Sequence, residues 1–278
     1  MENNNKVSDV FNFPRFGKYL LHDLRNAWSN YGMGLLTLAS MPLILYLANI
    51  LFHNVWGGGW TSPSFDTRLG VFILILFIFV ISFPSRVYGN LTSKKEGSDY
   101  LMIPASRLEK FVSMLVVCLI AVPVCYLGLY FLEDAFLSLV DPTYTQSLVG
   151  ENINNITNGN IFSDDSDFSV GIGLVGGGIP AAYASLAGTI LVFLLGALCF
   201  RKWKIGGTIL ALFVLGTVLS LILGLSLANH DWSGLEEFFT NHYEQIPSYI
   251  NWITAIVNIV IFIILGCGIY FRLKNIKH

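Results

Sequence analysis

LGVFILILFIFVISFPS, from Leu69 to Ser85, contains no ionisable side chain. Apolar residues fill every face of it, whether it is drawn as a helix or as a strand. Its length approaches the roughly 20 residues that cross ~30 Å of hydrocarbon. A segment in lipid must satisfy its own backbone hydrogen bonds, so it is read as an α-helix, and it is predicted to continue to about Tyr88. Five further blocks of the same kind lie on either side: about Gly34–Leu51, Phe111–Leu132, Pro180–Phe200, Ile205–Ala228 and Ile250–Phe271. The fold class expected is an all-α membrane protein with six transmembrane helices.

Composition agrees. The chain has 278 residues, of which 54% are apolar and 12% charged, with a mean hydropathy of +0.63. Soluble domains carry about 25% charged residues. Sixteen Lys and Arg face eighteen Asp and Glu, at a pI near 6.2. That balance offers no basic face for nucleic acid.

Charge sets the orientation. Lys6, Arg15, Lys18 and Arg25 precede the first block. Arg86, Lys94, Lys95, Arg107 and Lys110 lie between the second and third. Arg201, Lys202 and Lys204 lie between the fourth and fifth, and Arg272, Lys274 and Lys277 follow the sixth. Only Arg68 falls on the opposite side. Basic residues stay in the cytoplasm. Both termini are therefore expected there, in a multi-pass protein of the cell membrane. Residues 1–31 read as a cytoplasmic segment and 32–278 as the six-span domain. The cytoplasmic loop 86–110 faces external loops 52–68, 133–169 and 229–249. The start of the chain lacks a short apolar core behind a basic stretch, so no cleaved leader is expected.

Pro14–Tyr31 reads as an amphipathic helix lying in the membrane interface. Phe16, Leu20, Leu24, Ala27, Trp28 and Tyr31 recur at helical spacing, and Arg15, Lys18, His22, Asp23, Arg25 and Asn26 occupy the remaining face. Pro42 and Pro123 fall within apolar blocks and should bend or loosen their helices. Ala184 and Gly188, and Gly216, Ser220 and Gly224, recur at spacing four, the pattern that lets membrane helices pack closely within a bundle or at a dimer seam. Cys118, Cys125, Cys199 and Cys267 all lie in apolar blocks and read as buried thiols.

No Asp, Glu, Lys, Arg or His falls near the middle of any block, which argues against a proton relay or an ion-coupled transporter. Catalytic residues, cofactor motifs and metal-ligand clusters are not legible. Glu236-Glu237 with His242 lacks the arginine of paired-glutamate proteases. Gly171–Pro180 lacks the Lys-Ser/Thr of a phosphate loop and reads as a flexible or re-entrant segment. Asp164, Asp165 and Asp167 lack full calcium-loop spacing. An enzyme is not expected.

The cytoplasmic loop KKEGSDYLMIPASRLEK, Lys94–Lys110, carries the most information. Ser98 can cap a one-turn helix, with Asp99 in its first turn. Pro104 disfavours helix at Ile103. Ser106 and Glu109 form a capping box that opens the next helix. The short helix presents Tyr100, Leu101, Met102 and Ile103, an apolar cluster that can plug into a partner or fold against its own bundle.

This loop resembles that of the ABC-2 type transporter permeases. The matching residues are Glu96-Gly97-Ser98, Tyr100-Leu101-Met102, Pro104-Ala105-Ser106-Arg107 and Glu109; Ser113-Met114 stand where the family often has a small residue and a lysine. The layout is similar too, with the long external loop placed earlier than is usual. The resemblance implies a permease subunit, with no cofactor of its own, whose coupling helix Ser98–Ile103 docks on a separate cytoplasmic ABC ATPase. Glu96, Gly97, Ser98, Asp99, Tyr100, Leu101, Met102, Ile103, Pro104 and Arg107 would form that interface. A second permease chain would complete the pathway, and export is the expected direction. The alternative is a non-transporting membrane scaffold or accessory protein that holds another cytoplasmic partner through the same loop.

Overall fold

The computed structural model describes residues 11–57, 62–92, 103–141, 143–144, 148, 178–200, 202–228 and 246–275. Among the described residues the protein is all-helical, without a strand. Its contacts divide it into two units, each containing three of the predicted apolar blocks.

In the first unit, α1 (Phe13–Ala39) runs straight through the boundary expected near Tyr31. The amphipathic segment and the start of the first apolar block are thus one helix, about 40 Å long at 1.5 Å per residue. The break falls later, at Ser40, and α2 (Met41–Val55) follows at once with Pro42 in its first turn. Proline has no N–H to give to the carbonyl four residues back, and its ring crowds that carbonyl. After Gly57, in the left-handed region at φ 75°, the chain reaches α3 (Phe65–Val87), where this stretch of the first unit ends; the 3₁₀ turn Gly89–Thr92 belongs to the second unit. The continuation of the second block to about Tyr88 is borne out.

α4 (Arg107–Val116) joins α5 (Val122–Val140) through a single π-turn, Val117–Ala121. Val122 N–H bonds the Val117 carbonyl, five residues back, immediately before Pro123. Both prolines singled out in the sequence therefore mark local breaks. The helix ends at Val140, not near Leu132, so Glu133 and Asp134 belong to it rather than to the external loop.

An aromatic column ties α1, α3 and α5 together. Phe79 stacks on Tyr126 at 4.3 Å and on Phe83 at 5.6 Å, and Tyr31 packs on Phe83 at 5.5 Å. Phe72 meets Tyr130 at 5.0 Å.

The second unit holds α6 (Gly178–Cys199), α7 (Lys204–Ala228) and α8 (Ile246–Lys274). Ile190, Leu194, Ala197 and Leu198 of α6 and Ile269 of α8 are fully buried. Arg272 Nε donates to the Leu198 carbonyl at 3.1 Å, satisfying one of the acceptors that every helix C-terminus leaves open.

Large apolar side chains cover the outside, among them Leu74, Phe77, Val124, Phe136, Phe213 and Ile263. Among the described residues, five helical runs are long and apolar enough to cross a membrane: Phe13–Val55, Phe65–Leu91, Arg107–Val140, Lys204–Ile222 and Ile256–Lys274. Tyr183–Cys199 is a shorter apolar helix. Exposed apolar surface of this kind is costly in water and costs nothing against lipid tails.

Candidate functional site

Two polar centres stand out in the first unit. The first lies where the chain leaves the Lys94–Lys110 loop. Ser106 has extended backbone and caps α4: its Oγ accepts from Glu109 N–H at 3.1 Å, and Glu109 Oε2 accepts from Ser106 N–H at 2.8 Å. The capping box read from the sequence is present. Its acid does more than the motif implies. Glu109 Oε1 also accepts from the backbone N–H of Asn12, the N-cap residue of α1, at 2.8 Å. Arg15 closes the set, with Nε 2.9 Å from Oε2 and Nη2 2.9 Å from Oε1. One fully buried carboxylate thus supplies the missing acceptor for two helix N-termini. It also takes the forked guanidinium of the first of those helices.

One face of α1 continues this seam. Tyr19, Asp23, Ala27 and Tyr31 are buried. Asp23 accepts from Ser113 Oγ at 2.7 Å, and Tyr31 Oη lies 2.7 Å from Ser82 Oγ. Asp23 was expected on the outward polar face; the structure turns it inward, because its partner sits on α4. The helical wheel alone holds no information about a hydroxyl 90 residues away in the chain.

The second centre is at the other end of the unit. Arg68, the exception to the charge partition, is buried, and its Nη1 lies 3.1 Å from Asp134 Oδ1. Asp134 Oδ1 also accepts from Tyr144 Oη at 2.8 Å, and Oδ2 from Leu148 N–H at 2.7 Å. The Arg68 guanidinium sits 4.2 Å from the Tyr144 ring centre. Burial, and after it the hydrogen bond to Asp134 and its charge, push the Tyr144 hydroxyl above its ordinary range. Nearby, Tyr46 Oη donates to Asp141 Oδ2 at 2.9 Å, and Asp141 Oδ1 accepts from Thr143 N–H at 2.9 Å. Asp134 and Asp141, which the sequence places in the external loop 133–169, are both buried. A lone arginine on the wrong side, with a carboxylate at the far end of the next apolar block, was the available signal.

Of the predicted partner interface, Glu96, Gly97, Ser98, Asp99, Tyr100, Leu101 and Met102 lie outside the described residues. Ile103 is non-helical and Pro104 is exposed, in keeping with the expected break before α4. Arg107 is exposed in the first turn of α4. Of the predicted packing residues, Gly188, Gly216 and Gly224 face open space within the described part of this chain. A Cβ added at Gly188, Gly216 or Gly224 would meet no described atom, and Ser220 is exposed and bonds the Thr217 carbonyl of its own helix. Ala184 is half-buried. The close approach of α6 and α7 instead uses Gly196 against Thr208 and Gly207 against Phe200. Cys118 is buried as expected, whereas Cys125, Cys199 and Cys267 are exposed on the apolar exterior.

Among the described residues no group of His, Cys, Asp and Glu could hold a metal ion. Both polar centres are hydrogen-bonded networks that tie helices together. No protein-family model, curated protein or solved structure matches the chain.

Proposed function

We propose that the chain is the permease subunit of an ATP-driven ABC transporter, working as an exporter, with six crossings and both termini in the cytoplasm. Residues 98–103 are its coupling segment and dock on a separate ATPase subunit. Two permease chains line the pathway. ATP chemistry stays on the partner.

The observation that carries this reading is the double cap at Glu109. A loop that receives a push from a motor must pass it to the bundle rather than absorb it. Directly after the loop, Ser106 and Glu109 lock the start of α4, and the same carboxylate binds Asn12 N–H and Arg15 of α1. Displacement of the loop's return arm would therefore move two helices at once. The resemblance of Glu96–Glu109 to the ABC-2 loop names the kind of partner that would push.

The test is the variant L101D/M102D, purified in detergent from membranes beside the unmodified protein. Co-purifying ATP hydrolysis that is abolished in the variant, with membrane insertion intact, supports the reading. Unchanged hydrolysis in the variant removes residues 98–103 as the docking element. A complex without any ATP-hydrolysing subunit favours the scaffold.

A further inference from the structure

α1 presents two different surfaces. Its inner face carries Tyr19, Asp23, Ala27 and Tyr31 and is buried in the first unit. Its outer face carries Lys18, His22 and Arg25, all exposed, at spacings of four and three that place them on one stripe. Leu21 and Trp28, seven residues apart, run beside that stripe and are 69% and 57% exposed. The exposed sector from Pro14 to Ser29 contains no carboxylate, since Asp23 points inward.

The level of this stripe follows from the packing. Tyr31 meets Phe79, Ser82 and Phe83 of α3, so Trp28 and Arg25, one to two turns earlier on α1, stand level with the exposed Arg86 at the polar end of α3. That is the depth at which an apolar helix leaves hydrocarbon. Lys18 stands about 10 Å further out along the helix, within reach of a headgroup layer about 6 Å deep once side-chain length is counted. The indole of Trp28 lies against Gly32, 3.0 Å from where a Cβ would stand, and so extends toward the apolar half of α1. Indole in that position is the usual anchor at the boundary of headgroups and acyl chains.

We propose that the stripe Lys18–His22–Arg25, with Trp28 and Leu21 beside it, is a binding surface for anionic phospholipid headgroups. Arg25 offers a planar fork to a phosphodiester, and Lys18 a point charge. The charges meet phosphate while Trp28 and Leu21 enter the acyl boundary. This holds whether or not the chain transports anything.

The full chain reconstituted in phosphatidylcholine vesicles tests it, with brominated phosphatidylglycerol or brominated phosphatidylcholine as quencher. The Trp28 signal is the difference between the protein and its W28F variant. Phosphatidylglycerol should bind beside Trp28 about five- to tenfold better than phosphatidylcholine at low salt, and less so at high salt. In K18Q/R25Q the preference should vanish while phosphatidylcholine still quenches, which shows α1 in place. Equal quenching by the two lipids in the unmodified protein overturns the proposal. So does a preference that survives in K18Q/R25Q, or a Trp28 that neither lipid reaches, as would follow if a protein covered this face.

Discussion

Arg68 Nη1 lies 3.1 Å from Asp134 Oδ1, and both side chains are only 2% exposed. A buried pair adds little net stability compared with apolar residues of the same shape, yet losing one partner strands a charge, at a cost of about 3–5 kcal/mol. R68M and D134L should therefore each lower the thermal midpoint in detergent by many degrees. The double variant R68M/D134L should recover more than half of the loss. Single variants that melt like the unmodified protein would contradict the pairing.

Tyr144 gives this centre a pH signature. Its hydroxyl is held above its ordinary range, so the folded state keeps a proton that the unfolded chain releases near pH 10. The unfolded state then binds fewer protons, and stability falls as pH rises. The contribution is complete below about pH 10 and is lost progressively above it. Y144F should be less stable at neutral pH by about 1–2 kcal/mol, having lost a hydrogen bond to a carboxylate, but should show a shallower alkaline decline. Parallel alkaline slopes for the two proteins would rule out this contribution.

Glu109 joins two helix starts that are far apart in sequence. E109A should open both, and hydrogen exchange should speed up together at residues 12–16 and 106–110. The loss is on the order of 3–5 kcal/mol, because two capped N-termini and a charge pair go at once. R15M should cost about 1 kcal/mol or less, because Arg15 is 36% exposed and water replaces it, leaving both backbone bonds in place. Acceleration confined to residues 106–110 in E109A would show that the link to α1 is not made.

The sequence reveals what periodicity and local chemistry can encode. The apolar block at Leu69–Ser85 became α3, the Ser106–Glu109 box became a cap, and Pro42 and Pro123 became breaks. What it hides is long-range. Asp23 looks solvent-facing until Ser113 is beside it. Asp134 looks like the first residue of a polar loop until Arg68 is placed opposite. The end of α5 was misjudged for the same reason: hydropathy drops at Glu133, but a paired carboxylate lets the helix continue to Val140.

Glycine spacing and close approach within the chain fall at different positions on α6, and that gives a sharp comparison. Gly188 belongs to the small-residue pattern on α6, yet an added Cβ there meets no described atom. Gly196, two turns on, belongs to no such pattern, yet an added Cβ would overlap the Thr208 side chain of α7. The spacing of four marks where helices can approach, and the partner's side chains decide where they do. G188A should leave the thermal midpoint unchanged within about 0.5 kcal/mol, or raise it slightly through helix propensity. G196A should cost about 1–3 kcal/mol, since α6 and α7 must separate or Thr208 must turn. T208A removes the overlapping methyl but leaves Cβ 2.9 Å from the added atom, so G196A/T208A should recover only part of that loss. Equal midpoints for G188A and G196A would mean that α6 and α7 do not meet at Thr208.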